Sequence, residues 1–130
     1  MEKPDHGEAF ANGATFTPTG TVVSRDVSWI EHPAWPGVAL KDLMTKSDTG
    51  EAFGYHLVRV DEGCEVGVHA HPDEWEWNGV LAGEGSFFFE EHEIPFTTGA
   101  SFVTPPGVDH RVCATGGEVL LLALFIPGPG

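Results

Sequence analysis

Short runs in which apolar and polar residues alternate make up most of the chain, and clusters of Gly, Pro, Asp and Ser separate them. Successive side chains of a β-strand point to opposite faces, so a period of two is typical of a half-buried strand. No segment carries a convincing helical period. The pattern predicts an extended segment at Thr15–Thr17 and strands at Thr21–Val23, Val38–Met44, Phe53–Val60, Glu65–His71, Trp75–Leu81, Ser86–Glu90, Glu93–Phe96, Ser101–Thr104, His110–Ala114 and Glu118–Ile126.

The strand count indicates the fold class. Many short strands joined by turns that contain Gly and Pro are typical of an all-β sandwich or barrel. A length of 130 residues suits one domain. Residues 1–20 are rich in Gly, Thr, Pro and Ala and show no periodicity, so we predict a flexible N-terminal arm there. Residues 21–130 are predicted to form a single β domain.

Composition and charge argue against two classes of partner. The chain has 6 Lys and Arg residues against 20 Asp and Glu residues, a formal net charge of −14. This balance opposes nucleic-acid binding, which needs clustered cations. No apolar run reaches the roughly eighteen residues that span a membrane, and the first residues lack the pattern of a signal peptide. Together with only 2 cysteines, these features predict a cytoplasmic protein.

Four residues of metal-binding types lie between Gly63 and His110. His69 and His71 are two apart in a predicted strand, so their imidazoles point the same way. Glu76 lies in the next strand and can face them, and His110 follows a Pro-Pro-Gly turn. A single histidine in a half-buried strand is usually structural, but this combination predicts a site for one divalent metal ion. Imidazoles with a carboxylate suit Fe, Mn, Ni, Cu or Zn.

The spacing of these residues resembles the two sequence motifs of the cupin superfamily. The first motif, G-x5-H-x-H-x(3,4)-E-x6-G, is matched with a gap of four residues before the glutamate. The second, G-x5-P-x-G-x2-H-x3-N, is matched except at its last position, where Ala114 replaces an asparagine that is not a metal ligand. The matching residues are Gly63, His69, His71, Glu76 and Gly83 in the first motif, and Gly99, Pro105, Gly107 and His110 in the second.

The resemblance implies a small single-domain cupin of the cupin-2 type. The fold of this superfamily is a double-stranded β-helix, or jelly-roll barrel, which residues 21–130 would form. Small cupins commonly form homodimers, and the candidate contacts are the N-terminal arm, Trp29 and Trp35. The two tryptophans lie near prolines and are alternatively expected to pack against a core face. The implied metal ligands are His69, His71, Glu76 and His110.

The resemblance also implies which positions line the pocket. When Glu76 faces inward, Asn78 and Val80 share its face, because side chains alternate along the strand. Trp75 and Trp77 then lie on the outer face, where they suit an interface or a covering loop better than stacking on a substrate.

One further histidine is a candidate for chemistry. In the predicted strand Phe53–Val60, we expect His56 to face the barrel interior, where it would contact substrate or act as an acid or base near neutral pH. The alternative is an ordinary half-buried histidine. Glu74 shares the parity of Glu76 and is an alternative metal ligand. The remaining histidines lie in loop-like segments and are expected to be solvated: His6, His32 and His92.

These features predict a metal-binding protein whose partner is a small molecule. Cupins include dioxygenases, isomerases, lyases, decarboxylases and non-enzymatic binders, so the resemblance does not select one reaction. We favour an enzyme of the oxygenase type that acts on a small chelating or apolar molecule, with an isomerase or a lyase as further options. The alternative is a non-catalytic metal-binding, ligand-binding or sensory module.

Overall fold

The computed structural model describes residues 6–128, with side chains from Gly7 onward. Within these residues one short helix precedes twelve strands, and no helix is long and apolar enough to cross a membrane. The elements are α1 (His6–Ala11), β1 (Ala14–Thr17), β2 (Gly20–Val23), β3 (Ile30–Glu31), β4 (Val38–Met44), β5 (Gly54–Val60), β6 (Glu65–His69), β7 (Glu74–Ala82), β8 (Gly85–Phe89), β9 (His92–Phe96), β10 (Ser101–Thr104), β11 (His110–Ala114) and β12 (Val119–Pro127).

Two antiparallel sheets form the barrel. Six strands pair in the order β10-β7-β12-β5-β4-β3, and four pair in the order β6-β11-β8-β9. Their apolar faces share one core, to which the larger sheet contributes Val58 and Val80 and the smaller sheet contributes Phe87 and Val112. This arrangement confirms the predicted all-β jelly-roll fold.

Most of the strands lie where the alternation predicts them. The predicted bounds of β4, β10 and β11 are confirmed, and other predicted strands shift by one or two residues at their ends. The most important shift is in β6, which ends at His69, so His71 lies just beyond the strand. The alternation does not predict β3, because two residues are too few to show a period of two.

The N-terminal segment carries more structure than the alternation predicts. The sequence did not predict α1 (His6–Ala11), because six residues are too few to display a helical period. β1 and β2 pair as a hairpin, so the predicted boundary at residue 20 falls inside a paired element. Residues 1–5 lie outside the described part of the chain, and the flexibility of the arm stays a prediction.

A buried lysine attaches this segment to the six-stranded sheet. Lys41 on β4 is only 3% exposed, and its ammonium donates hydrogen bonds to the backbone carbonyls of Ala11 at 3.0 Å and Ser24 at 2.7 Å. The same ammonium lies 5.4 Å from the centre of the Trp29 ring. Carbonyl acceptors and an aromatic face replace water around a charge that is otherwise costly to bury. The N-terminal segment therefore covers the outer face of β4.

Aromatic rings close one part of the barrel interior. Phe87 is fully buried, and its ring centre lies 4.2 Å from that of Phe102. Phe96 meets Phe102 edge to face, with 5.7 Å between the ring centres. Burying a side chain of this size contributes about 1.5–3 kcal/mol. We call Phe87, Phe96 and Phe102 the phenylalanine cluster, and its packing leaves the polar residues of the interior to the other part of the barrel.

Candidate metal centre

The four predicted ligands come from both sheets and meet between them. His69 ends β6 and pairs directly with His110, the first residue of β11. His71 follows β6, and Glu76 reaches in from β7 of the opposite sheet. One ligand atom from each residue can be chosen so that all four lie within 4.8 Å of one another. The structure thus brings together residues that are up to forty-one positions apart in the chain.

Backbone carbonyls orient two of the imidazole rings. Nδ1 of His69 lies 2.7 Å from the carbonyl oxygen of Gly67, and Nδ1 of His110 lies 3.1 Å from that of Val108. A carbonyl can only accept, so in the neutral ring Nδ1 carries the proton and donates it. This tautomer leaves the lone pair on Nε2, which points to the centre, as in metal-binding histidines generally.

The geometry around Glu76 requires a cation. Its Oε1 lies 2.9 Å from Nε2 of His110, and its Oε2 lies 3.4 Å from Nε2 of His71. Both nitrogens are buried, and despite the short distances neither forms a hydrogen bond of acceptable geometry. With its proton on Nδ1, His110 directs a lone pair at a carboxylate oxygen, and two such acceptors repel unless a proton or a metal ion separates them. The residues present therefore fit a metal ion.

Charge inside the cluster is balanced between Glu76 and its histidine neighbours. Burial alone would raise the pKa of Glu76, but contacts with His110 and His71 hold that pKa below its usual range. Burial would also lower the pKa of His110, but the Glu76 carboxylate raises it above the ordinary value. Burial lowers the pKa of His69. Three imidazoles and a carboxylate can hold a metal ion of the Fe, Mn, Ni, Cu or Zn group.

A cavity of about 190 Å³ contains the centre. Besides the four ligands, its polar wall consists of His32, His56 and Asn78. The apolar wall includes Val38, Leu40, Val58, Val66, Leu121 and Phe125. A second cavity of about 360 Å³ shares His56, His71 and Phe125 with the first and continues toward Lys46 and Glu74. The centre is therefore reached through a wider space that carries charged groups.

His56 lies in both cavities. Its ring stacks on Phe125 with 5.2 Å between the ring centres, and its Nδ1 lies 4.0 Å from Oδ1 of Asp42. Burial lowers the pKa of His56, and Asp42 opposes this effect only in part. The imidazole is therefore neutral at neutral pH and can accept a proton. This position agrees with the expected inward orientation, while a role in chemistry stays a prediction.

The remaining acidic and aromatic candidates lie outside the centre. Glu74, the alternative ligand, forms an ion pair with Lys46 and is not part of the four-residue cluster. Trp75 and Trp77 lie on the outer face of β7, as predicted, and border an apolar patch with Val103. Trp75 is 40% exposed, so this patch is open in the isolated chain.

Two residues of the loop before β4, His32 and Trp35, line the cavity, and only His32 was expected to lie elsewhere. His32 was predicted to be solvated, but it is partly buried and stacks on Trp35 with 4.3 Å between the ring centres. Trp35 in turn lies 5.1 Å from His69. Its indole packs over Gly67, where a Cβ would come within 2.5 Å of the ring nitrogen. A glycine two residues before His69 is the signal in the sequence for this close contact.

The other histidines match the expectation or cannot be judged. His92 at the start of β9 is exposed, as predicted. The side chain of His6 lies outside the described residues.

The sequence is similar to that of known proteins. A family model described as Cupin domain matches residues 56–127. A curated relative from Thermotoga maritima, an oxalate-binding protein, is 33% identical over 70 residues. That alignment covers 53% of this chain and 58% of the relative, so the chain matches little more than half of that protein's length.

The fold is similar to solved cupin structures. The crystal structure of a predicted oxalate decarboxylase from Thermotoga maritima has a TM-score of 0.74 and 26% identity, and the alignment covers 82% of this chain and 97% of that one. An RmlC-like cupin from Shewanella frigidimarina has a TM-score of 0.67 and 28% identity, with 82% and 89% covered. Because the family model spans more than half of the 130 residues and includes all four residues of the centre, this chain belongs to the Cupin domain family.

Proposed function

We propose that this cupin binds one divalent metal ion and uses it to hold a small chelating carboxylate, with oxalate as the favoured ligand. The ligands of the ion are His69, His71, Glu76 and His110. The observation that carries the proposal is the pair of facing acceptors, Glu76 Oε1 and His110 Nε2, at 2.9 Å within an apolar cavity. Such a buried contact is stable only with a proton or a metal ion between the two atoms, and a metal ion would satisfy the other two residues of the cluster as well.

Three features support a carboxylate ligand. A chelating anion can occupy the positions that four protein ligands leave open on the ion. The cavity is walled largely by apolar side chains, which exclude water and strengthen electrostatic attraction to the ion. Lys46 is the one lysine or arginine among the described residues that line the two cavities, and an entering anion would replace Glu74 as the partner of its ammonium. The relatives described as oxalate-binding and as a predicted oxalate decarboxylase agree with this ligand class.

A second candidate function is an oxygenase-type reaction on the bound ligand, and His56 is the observation that favours it. A metal of this group supplies Lewis acidity when bound, and iron, copper or manganese also supplies redox chemistry. His56 is neutral, lines the cavity and stacks on Phe125, which keeps the ring in place to accept a proton from the ligand. An isomerase or lyase reaction would use the same imidazole, and the alternative without catalysis would not use it.

The assembly and the location are further parts of the proposal. The apolar patch at Trp75, Trp77 and Val103 would be covered in a homodimer, since an exposed patch of this kind commonly marks an interface. Trp35 packs on His69 within the same chain and Trp29 packs under Lys41, so both are less suited than Trp75 to contact a partner. The low cysteine count supports a cytoplasmic location.

Metal content and oxalate binding test the proposal together. Protein purified without added metal should contain one metal ion per chain by elemental analysis. The double substitution His69→Ala with His110→Ala should remove it, while His92→Ala, at an exposed histidine, should not. Isothermal titration should detect oxalate binding to the metal-loaded protein and none after treatment with a chelator. Metal retained by the double variant would refute the ligand set, and binding of oxalate without metal would refute the mode of binding.

A second experiment separates catalysis from binding. Iron-loaded protein is mixed with oxalate and with other small chelating acids, and oxygen uptake and products are followed by electrode and mass spectrometry. If the chain is an enzyme of the oxygenase type, oxygen is consumed. His56→Gln then abolishes turnover while the metal content stays the same. Turnover that survives this substitution would remove His56 from the reaction. Binding without oxygen uptake or product would assign the chain to the non-catalytic alternative.

A further inference from the structure

We infer that Asn78 recognises the ligand at the metal centre and selects chelators that carry an acceptor oxygen on the side away from the metal. This inference rests on the proposed function and adds a specificity residue to it. Asn78 lies on β7 two positions after Glu76, so the two side chains share the inner face of the strand. Its amide lines the cavity that contains the four metal ligands.

The side chain of Asn78 lies inside the barrel and has no hydrogen-bond partner among the described residues. Asn78 is 4% exposed, its side chain makes no hydrogen bond to any residue in the described part of the chain, and its polar atoms remain accessible from the cavity that it lines. Buried side-chain amides in native proteins are almost always hydrogen-bonded, because removing them from water without a partner is unfavourable. By contrast, the exposed side chain of Asn12, the other asparagine of the chain, donates to the backbone carbonyl of Glu8 at 3.0 Å. The amide of Asn78 is thus available to something that occupies the cavity.

Asn78 belongs to a row of three neighbouring side chains that crosses β5, β12 and β7. Ala123 on β12 pairs with Asn78 on one side and with His56 on the other. Neighbouring strands are about 4.8 Å apart, so the amide and the imidazole rise from positions roughly 10 Å apart across the small methyl group of Ala123. Phe102 pairs with Asn78 on its far side and closes that direction. Asn78 and His56 therefore lie on opposite sides of Ala123, and both line the cavity that contains the four candidate ligands.

The chemistry of the amide defines the ligand class. Its NH₂ group donates to an acceptor oxygen without adding a charge to the cavity. Oxalate has four oxygens: two can chelate the ion and two remain at the far side to accept from Asn78. A diketone such as acetylacetone loses a proton to solvent and chelates through the two oxygens of its enolate, but it presents methyl groups where oxalate presents oxygens. Asn78 should accordingly favour oxalate and related 2-oxo or 1,2-dicarboxylic acids over diketones.

A purely structural role predicts a different response to substitution. Leucine has nearly the same size as asparagine and has no polar atom. When an amide has no protein partner, its replacement by Leu removes a desolvation cost, and the ligand-free protein should be as stable or more stable. If instead Asn78 held the strands together through a hydrogen bond, the same replacement would destabilise the protein.

The test uses zinc-loaded full-length protein, since zinc is inert to redox chemistry. Asn78→Leu is compared with the wild type and with Asn12→Leu, the same chemical change at the exposed asparagine. The measurements are metal content, the thermal midpoint without ligand, and the Kd for oxalate and for acetylacetone by titration calorimetry. Asn78→Leu should keep its zinc and its midpoint, bind oxalate about tenfold or more weakly, and bind acetylacetone within about threefold of the wild type. Asn12→Leu should bind oxalate as the wild type does.

A second variant covers the case in which leucine blocks the cavity. Asn78→Ala removes the amide and adds no bulk, so it should show the same selective loss of oxalate affinity. An unchanged oxalate Kd in both variants, or an equal loss for both chelators, would overturn the role of Asn78 while the proposed function stands. Zinc-loaded wild type that fails to bind oxalate would overturn both the proposed ligand and its contact with Asn78.

Discussion

The two parts of the barrel interior are built by different strands: the phenylalanine cluster comes from β8, β9 and β10, whereas the residues of the candidate metal centre come from β7, β11 and the end of β6. The phenylalanine cluster fills one part with stacked rings, and every one of its members is less than 10% exposed. The other part contains the candidate metal centre, with the buried Glu76 and with Asn78, which has no protein partner. A closed apolar core stabilises the fold, while polar groups held without partners reduce its stability.

The difference is visible within single strands. β7 begins with Glu76 and Asn78 on its inner face and continues with Val80, and β5 changes from His56 to Val58 in the same way. Binding residues thus sit at one end of each strand, and packing residues sit further along. The phenylalanine cluster supports this unfavourable site directly, since the ring of Phe87 lies nearly parallel to that of His110 with 6.0 Å between their centres. Three predictions test this division, from the largest expected effect to the smallest.

Truncating the phenylalanine cluster should cost the most stability. Phe87→Ala removes a fully buried ring that stacks on Phe102 at 4.2 Å, and the cavity left behind should lower the free energy of unfolding by about 3–5 kcal/mol. Urea unfolding measures the loss. Ile94→Ala is the control, because Ile94 is 40% exposed on β9 and its truncation should cost less than about 1 kcal/mol. If both variants lost the same stability, the cluster would not have the structural role given to it.

Acid should empty the metal centre and leave the barrel folded. The imidazoles bind a metal only when neutral, so protons compete as the pH falls, and His110 competes earliest because Glu76 raises its pKa. Metal affinity should fall about tenfold or more per pH unit below about pH 6.5. Equilibrium dialysis at a series of pH values, followed by elemental analysis, measures the release. Metal that stays bound at about pH 5 would argue against three histidine ligands.

His56 should make a smaller contribution to the pH dependence of stability. Burial lowers its pKa in the folded chain, so below the ordinary value of about 6.5 the unfolded chain binds a proton that the folded chain does not. Stability therefore decreases as the pH falls through the window between the ordinary and the lowered pKa, by at most about 1.4 kcal/mol per pH unit. His56→Gln should flatten this slope in urea unfolding of metal-free protein at about pH 7.5 and pH 5.5.

The matched control for that slope is His92→Gln, which removes an exposed histidine. It should leave the difference between the two pH values as in the wild type. An equal effect of both substitutions would mean that the burial of His56 does not decide the slope, and would weaken its assignment as a neutral base in the cavity.

The sequence predicted the strands well and the loops poorly, for a physical reason. The alternation in β4 and β10 reflects the two faces of one strand, which is a local property, and their bounds are confirmed. The packing of His32 on Trp35 and of Trp35 on His69 joins a loop to a strand about thirty-five residues away. No period in the sequence reports such a contact. The predicted solvation of His32 was wrong for that reason.

The sequence by itself determined the ligand types, their motif spacing and the inward parity of Glu76 and Asn78, because side-chain direction follows from position within a strand. The tertiary structure decided which of these residues meet. The pairing of His69 with His110 and the row from His56 through Ala123 to Asn78 depend on register between strands that are distant in the chain. Register is set by the packing of both sheets around the common core, so the cavity that Asn78 lines exists only in the folded barrel.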